Sequence, residues 1–598
     1  MLIAAAVGAG WYWRSRRPAK LTEKDTIVLA DVSNSTGDAV FDDTLKQALS
    51  VALRQSPFLN ILSDDKVGKT LRLMTRPPDT RLTPEVAREV CQRADSKAYI
   101  AGSIARLGSE FVLGLEAVNC ESGETLAQEQ ATARSREEVL DMLGRAAAKL
   151  RGELGESLAM VQKFDVPLAN ATTASLEALK EYSRGDAAKD PAAALPHDQK
   201  AVQLDPNFAM AYLAVGLDYL TLAETGRASE YFTKAFQLRD HASEREKLMI
   251  EAEYYSSVTG ELDKAAQTYK EKIENYPRQS GAYNNLGNVY AALGMYDKAA
   301  EAFHQSIAMT PDHVADYENL GNALLALQRF DEAGKILHEA QIRKLEDNLL
   351  RIGLYASAFL AGDSQGMAQQ LAWFNDKPEY ENYGLSLAAD AAAYGGHLRQ
   401  ARELTQRAVD SAVRTDNKEN AGIWRENAAL REAAFGNVAE ARQAVTEGLK
   451  LAPASPGVRI EAALASAMLG DTGRSRALAK DLAKSFPLDT QMQALWLPTI
   501  RAQLALDAKD PAAAVSLLQA ALQSGGQLEF GQIVFALNIS CLHPAYVRGK
   551  AYLTAGQGIA AANEFQKILD HNGIVWNCWT GALAPLGVAR ANALESRT

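Results

Sequence analysis

Four carboxylates, Asp31, Asp38, Asp42 and Asp43, fall within thirteen residues, in "LADVSNSTGDAVFDDTL". They follow an apolar run and surround a Ser/Thr/Gly turn. Clustered acids behind a strand can hold a divalent cation or relay protons. Neighbouring His or Cys ligands, or a second acidic cluster, would strengthen either reading, and none is nearby. Asp42 and Asp43 stand where a helix begins, and the helix dipole favours carboxylates there. Asp38 follows Gly37, a usual place for Asp in a turn. Turn and cap duty is therefore the expectation, with small-ligand binding as the rival. No metal and no cofactor are expected.

The remaining reactive residue types are scattered. The eight histidines, His197, His241, His304, His313, His338, His397, His543 and His571, form no HxxxH or HExxH pair. They read mostly as solvent-facing helix residues. No Gly-rich phosphate loop is present, and no catalytic residue is assigned. Four cysteines in 598 residues are too few for a disulfide framework. Cys91 and Cys120 fall near the ends of adjacent elements. Two separate core thiols is the favoured reading, and a disulfide is the alternative if that region lies outside the cytoplasm. Cys541 and Cys578 have no recognisable spacing.

The elements that must position these residues divide the chain. A length of 598 residues exceeds one compact core. Residues 24–160 alternate strand and helix signals. Strands are expected over 26–32 and 58–64, in "AYIAGSIARLG", in "EFVLGLEAVNC" and after "ESGET". Helices are expected over 41–56, in "VGKTLRLM", over 83–94 with Thr83 as N-cap and Pro84 in the first turn, and over 135–157. This makes a small α/β domain. A net charge of −11, with no basic cluster beyond residues 14–20, argues against a nucleic-acid partner.

From about residue 175 the strand signals fade and a period of 34 residues emerges. It separates Pro277 from Pro311, Gly260 from Gly294, Ala265 from Ala299 and Ala333, and Gly436 from Gly470. Helix–turn–helix units of this length are the tetratricopeptide (TPR) period. The clearest unit is 280–313, followed by 314–347. Units near 209–242 and 246–279 fit well, and those near 382–415, 422–455, 456–489 and 542–575 more loosely. Residues 175–208 and 490–530 read as degenerate pairs. The expected fold is mainly α: a solenoid of nine to eleven helical pairs over 175–598, clearest over 209–347, behind the α/β domain. The last repeat looks incomplete at 582–594, where Pro585 is unfavourable inside a helix. Asn285 and Asn288 recur one period later as Asn319 and Asn322. These positions point to the concave groove, where an amide can pair with the backbone of an extended peptide. A protein or peptide partner in that groove is the expectation.

Residues 1–13, "MLIAAAVGAGWYW", are apolar and aromatic-ended, and "RSRRPAK" follows. About 20 apolar residues span a bilayer. Residues 1–20 therefore read as a partial transmembrane or anchor segment.

The stretches "KDTIVLADVSNSTGDAVFDDTLKQALSVALRQSPFLNILSD" and "LTPEVAREVCQRADSKAYIAGSIARLGSEFVLGLEAVNCESGETLAQEQ" resemble a TolB-N-terminal-like α/β domain. More specifically, they are similar to the region after the membrane helix in acidobacterial-type serine/threonine protein kinases with TPR repeats. "GKAYLTAGQGIAAANEFQKILDHNGIV" extends the likeness. The resemblance implies a sensor or docking region beyond a membrane helix and outside the cytoplasm, although "RSRR" by itself favours the inside. No kinase Gly-rich loop, HRD or DFG is found, so no kinase activity is implied for these residues. The favoured function is a non-enzymatic, membrane-linked scaffold or sensor that binds protein or peptide. The alternative is the regulatory half of a kinase encoded upstream. A third is small-ligand binding by the α/β domain.

Overall fold

The computed structural model describes residues 21–188, 190–222, 224–533 and 540–596. The anchor segment read in residues 1–20 lies outside them. Among the described residues no helix is long and apolar enough to cross a membrane. The chain divides into two compact units. One runs through Leu222 and includes Glu230–Glu251; the other holds Ala223–Ser229 and Ala252–Thr598.

The first unit is built on a mixed sheet in the order β3-β1-β4-β5-β6, with β2 also paired to β4. The strands are β1 (Thr26–Leu29), β2 (Ser33–Asn34), β3 (Asn60–Ile61), β4 (Ala98–Leu107), β5 (Glu110–Asn119) and β6 (Thr125–Ala133). β1 is parallel to β3 and β4, whereas β4, β5 and β6 are antiparallel. Leu107 pairs with Glu110 across the two-residue loop Gly108–Ser109, and Gly108 takes the positive φ (+64°) that such a loop requires. Successive side chains leave a strand on opposite faces. Ile27 and Leu29 accordingly join Phe41, Leu45 and Leu150 in one core. Val28 and Ala30 join Leu71, Val90 and Cys91 in another. Helices Phe41–Arg54 and Val139–Leu154 thus cover one face, and Asp64–Leu73 and Pro84–Arg93 the other. Thr83 caps the last of these, accepting from Val86 N at 3.4 Å.

Arg151 is fully buried beside the first core. Its guanidinium donates to both oxygens of Glu156 at 2.8 and 3.1 Å and to Asp165 at 3.0 Å. Bidentate pairing of this kind is what makes a buried guanidinium tolerable.

Helical pairs take over from Leu176 onward, eleven among the described residues. The turn inside a pair needs a left-handed residue, and these fall at Gly260, Gly294, Gln328, Gly362 and Gly396, 34 residues apart. Gln328 fills one such place without being glycine. The pair Asn348–Leu360 and Ser364–Asn375 fills the stretch between the two best-matched units and the looser ones. Inside unit 280–313, Gly287 faces the ring of Phe303, so the two helices meet where a Cβ would not fit. Gly321 faces Leu337 in the next unit. Tyr283 OH donates to Pro277 O at 3.2 Å, and Tyr317 OH to Pro311 O at 2.8 Å, the same bond one period on. After the last pair, helix Trp579–Glu595 is continuous through Pro585. The proline therefore does not end it.

Candidate functional site

Asp31, Asp38 and Asp42 already have protein partners. Asp31 accepts from Leu82 N at 2.6 Å and pairs with Lys46 at 2.6 Å. Asp38 accepts from Val40 N at 3.0 Å and pairs with Arg136 at 3.3 Å. Asn34 ties the turn together, donating to Asp38 O at 2.8 Å and to Asp42 Oδ1 at 2.9 Å. Among the described residues no three His, Cys, Asp or Glu side chains are grouped to hold a metal ion. Asn34 and Asp38 brace the turn, and helix Phe41–Arg54 has no side-chain cap bond.

The four asparagines have different surroundings. Asn285 is half-buried; its amide donates to Glu253 Oε1 at 3.1 Å and to Tyr269 OH at 3.2 Å. Tyr269 OH also donates to Glu253, at 2.6 Å, and burial raises the Glu253 carboxyl above its usual range. Asn288 is exposed and donates to Asn284 Oδ1 at 3.3 Å. Asn319 and Asn322 are half-buried, and Asn322 donates to Glu318. Burial, with Asp347 nearby, pushes Glu318 up to about 8.

Cys91 and Cys120 form a disulfide with Cα atoms 6.0 Å apart, tying helix Pro84–Arg93 to the end of β5. Cys541 and Cys578 form a second, at 5.7 Å. The second bridge belongs to a feature that neither periodicity nor motif announces: parts of residues 489–533 and 540–580 return to the earlier repeats. Thr490 N donates to Gly260 O at 2.9 Å, and Gln532 N to Ala291 O at 2.9 Å. Gln491 Nε2 donates to Ala292 O at 3.0 Å, Tyr296 OH to Phe530 O at 2.8 Å, and Asn577 Nδ2 to Leu387 O at 3.1 Å. Ala291 and Ala292 carry carbonyls of the helix's last turn, where acceptors exceed the helical donors; Ala291 O already takes Gly294 N at 3.0 Å. The returning segment supplies further donors.

Between that segment and helices Glu381–Tyr394, Lys418–Phe435 and Pro456–Met468 lies a cavity of about 40 Å³. Tyr383, Trp424 and Trp579 give it aromatic walls; Asp390, Glu461, Asn427 and His543 give it polar groups; and the Cys541–Cys578 bridge lines it as well. Arg431 donates to Asp390 at 2.8 Å, yet burial still pushes Asp390 up to about 6. Burial drives Glu461 and the neighbouring Glu426 well above the usual carboxylate range, and lowers His543 to about 4. His543 is thus a neutral core residue, only 3% exposed, against the solvent-facing expectation. The signal for this site was Glu461 itself, a lone acid within the apolar run "VRIEAALASAML".

The tetratricopeptide repeat family profile matches residues 280–313. No curated protein matches the chain. Solved structures similar to parts of it include MamA, with 25% identity over 28% of this chain and 94% of that one, at a TM-score of 0.21. PilW, described as a widely conserved type IV pilus biogenesis factor, shares 20% identity over 33% and 89% at a TM-score of 0.26. The LpoB C-terminal domain from Salmonella enterica shares 14% over 19% and 86% at a TM-score of 0.18. The family match, the 34-residue turn spacing and the helix-on-glycine contacts define the class. This is a TPR repeat protein with a small α/β sheet domain ahead of its array.

Proposed function

We propose that the chain is a non-enzymatic docking module that binds an extended protein or peptide segment along helices Ser280–Ala292 and Val314–Ala326. The observation that carries this reading is the exposed amide of Asn288; one period on, Asn322 is half-buried, its N–H given to Glu318 and its Oδ1 enclosed. Asn288 spends one N–H on Asn284 and keeps an acceptor and a second donor for a peptide backbone. Asn285 holds Glu253 and shapes the helix seam instead. Panning a displayed random-peptide library on the full chain tests it: sequences enriched on the wild type should be lost on Asn288→Ala. Equal enrichment on both would refute the groove.

The two disulfides favour an oxidising compartment, so we place the module outside the cytoplasm, with residues 1–20 as its membrane tether. Alkylating thiols in intact source cells tests this, since four free thiols would mean a reducing compartment. A second reading rests on the sequence resemblance to the region after the membrane helix in TPR-bearing serine/threonine kinases. On that second reading the native polypeptide, detected by an antibody to residues 209–347, runs well above 64.6 kDa and carries kinase peptides.

A further inference from the structure

The cavity beneath the returning segment has the chemistry of a cation site. Its lining includes two carboxyls, on Asp390 and Glu461, and no lysine or arginine. Arg431 reaches Asp390 from outside the lining and satisfies that carboxyl. Among the described residues Glu461 has no cationic partner; Asn427, with its amide turned to suit, donates to both Glu461 oxygens at 3.1 Å. A second observation is independent of the acids. His543 lines the same cavity, is 97% buried, and among the described residues its Nε2 has no hydrogen-bond partner. An orphaned buried nitrogen is unfavourable unless something in the cavity bonds to it. In the tautomer with Nε2 unprotonated, it accepts a hydrogen bond from a ligand.

The walls add to this. The Tyr383 and Trp424 rings meet edge to face at 6.0 Å, and Trp579 lies 5.6 Å from the His543 ring. Aromatic faces attract a cation most strongly where water is excluded. The free volume of about 40 Å³ holds about three water-sized groups, far short of a benzene-sized guest.

We propose that this cavity binds a small primary alkylammonium ion. Its N–H groups donate to Glu461 and to His543 Nε2, and its alkyl group rests against Trp424 and Trp579. The ligand supplies the positive charge that Glu461 lacks, so it holds that carboxyl in its ionised form.

Methylammonium is the direct probe, with sodium chloride at equal ionic strength and tetramethylammonium, which has no N–H, as controls. Thermal melting and tryptophan fluorescence of the full chain are the readouts. The expected result is a saturable rise in Tm with methylammonium, accompanied by a fluorescence change and absent with both controls. Glu461→Gln keeps the side-chain volume and matches the neutral acid that burial favours, so it folds. It should bind at least tenfold more weakly. Equal shifts from sodium chloride, or unchanged affinity in the Gln variant, would overturn the site and leave water as the cavity's occupant. His543→Phe fills the ring's space without the nitrogen and should weaken binding in the same direction; unchanged affinity there would remove His543 from it.

Discussion

Asn285 Nδ2 lies 3.1 Å from Glu253 Oε1, joining helix Ser280–Ala292 to helix Glu244–Ser257 across the seam between successive pairs. Glu253 is buried, and its other donor is Tyr269 OH. The amide that sequence position places toward the groove therefore acts in the packing between repeats. Asn288, three residues on, is the exposed one.

This separates two variants. Asn285→Ala leaves a buried carboxyl short of a donor and should cost about 1–2 kcal/mol. Asn288→Ala should change stability by no more than about 0.5 kcal/mol, while peptide capture falls. Urea denaturation of both variants, run beside the capture assay, checks the assignment. A reversed pattern would return Asn285 to the groove.

Two glycines of the same helix give opposite signs. A Cβ on Gly287 would press on the Phe303 ring, whereas a Cβ on Gly281 meets nothing within 4 Å. Gly287→Ala should destabilise by about 1–3 kcal/mol, because a packed interior does not make room freely. Gly281→Ala should stabilise by about 0.4–1 kcal/mol through the unfolded chain's lost freedom. Chemical denaturation midpoints decide it. If both changes destabilise alike, the close helix approach is not what Gly287 provides.

Much of this was legible in the sequence because it is local or periodic. The alternation in "TIVLADV", the Gly108–Ser109 turn and Thr83 ahead of Pro84 specify the sheet domain with little help from distant residues. The 34-residue spacing of glycines and alanines specifies the array. The pair beginning at Asn348 lacks the full signature, and Gln328 stands where a repeat usually has glycine, so a search on residue type passes over both. The cavity was not legible. It forms because Ile533, Cys541, His543, Cys578 and Trp579 meet side chains of helices that lie far earlier in the chain. Helical periodicity says which face of a helix is apolar, not which distant segment will cover it. His543 and the Cys541–Cys578 bridge escaped for the same reason.

The two bridges should contribute separately. Cys91–Cys120 spans 29 residues and Cys541–Cys578 spans 37. Loop closure of this size is worth about 2–4 kcal/mol per bridge. Cys91→Ser/Cys120→Ser should lower the stability of the sheet domain by that amount. Cys541→Ser/Cys578→Ser should instead loosen the returning segment, read as faster amide exchange at 541–543 and 576–580. Unchanged exchange there would mean that the hydrogen bonds to the earlier repeats hold the segment unaided.

Stability should fall as pH rises above neutrality, and Asp198 is one identifiable cause. It is 3% exposed, on helix Pro191–Leu204 against Gly185. Burial, and then the neighbouring carboxyls of Asp218 and Asp186, pushes it up to about 8, while burial takes Asp218 to about 6. A raised carboxyl binds its proton more tightly folded than unfolded. Its stabilising contribution is full below the ordinary value of 3.8 and is lost as pH climbs through the folded value. Between pH 6.5 and 8.5 the loss from Asp198 is on the order of 2 kcal/mol. Glu318 and Glu461 push the same way, so wild-type melting alone does not isolate it. Asp198→Asn, an isosteric mimic of the neutral acid, should flatten the decline over that window relative to wild type. His543, neutral and lowered to about 4, acts in the opposite sense only as pH falls below its ordinary 6.5, which is why the comparison starts there. Parallel Tm–pH curves for the two proteins would show that Asp198 is already ionised in the folded state.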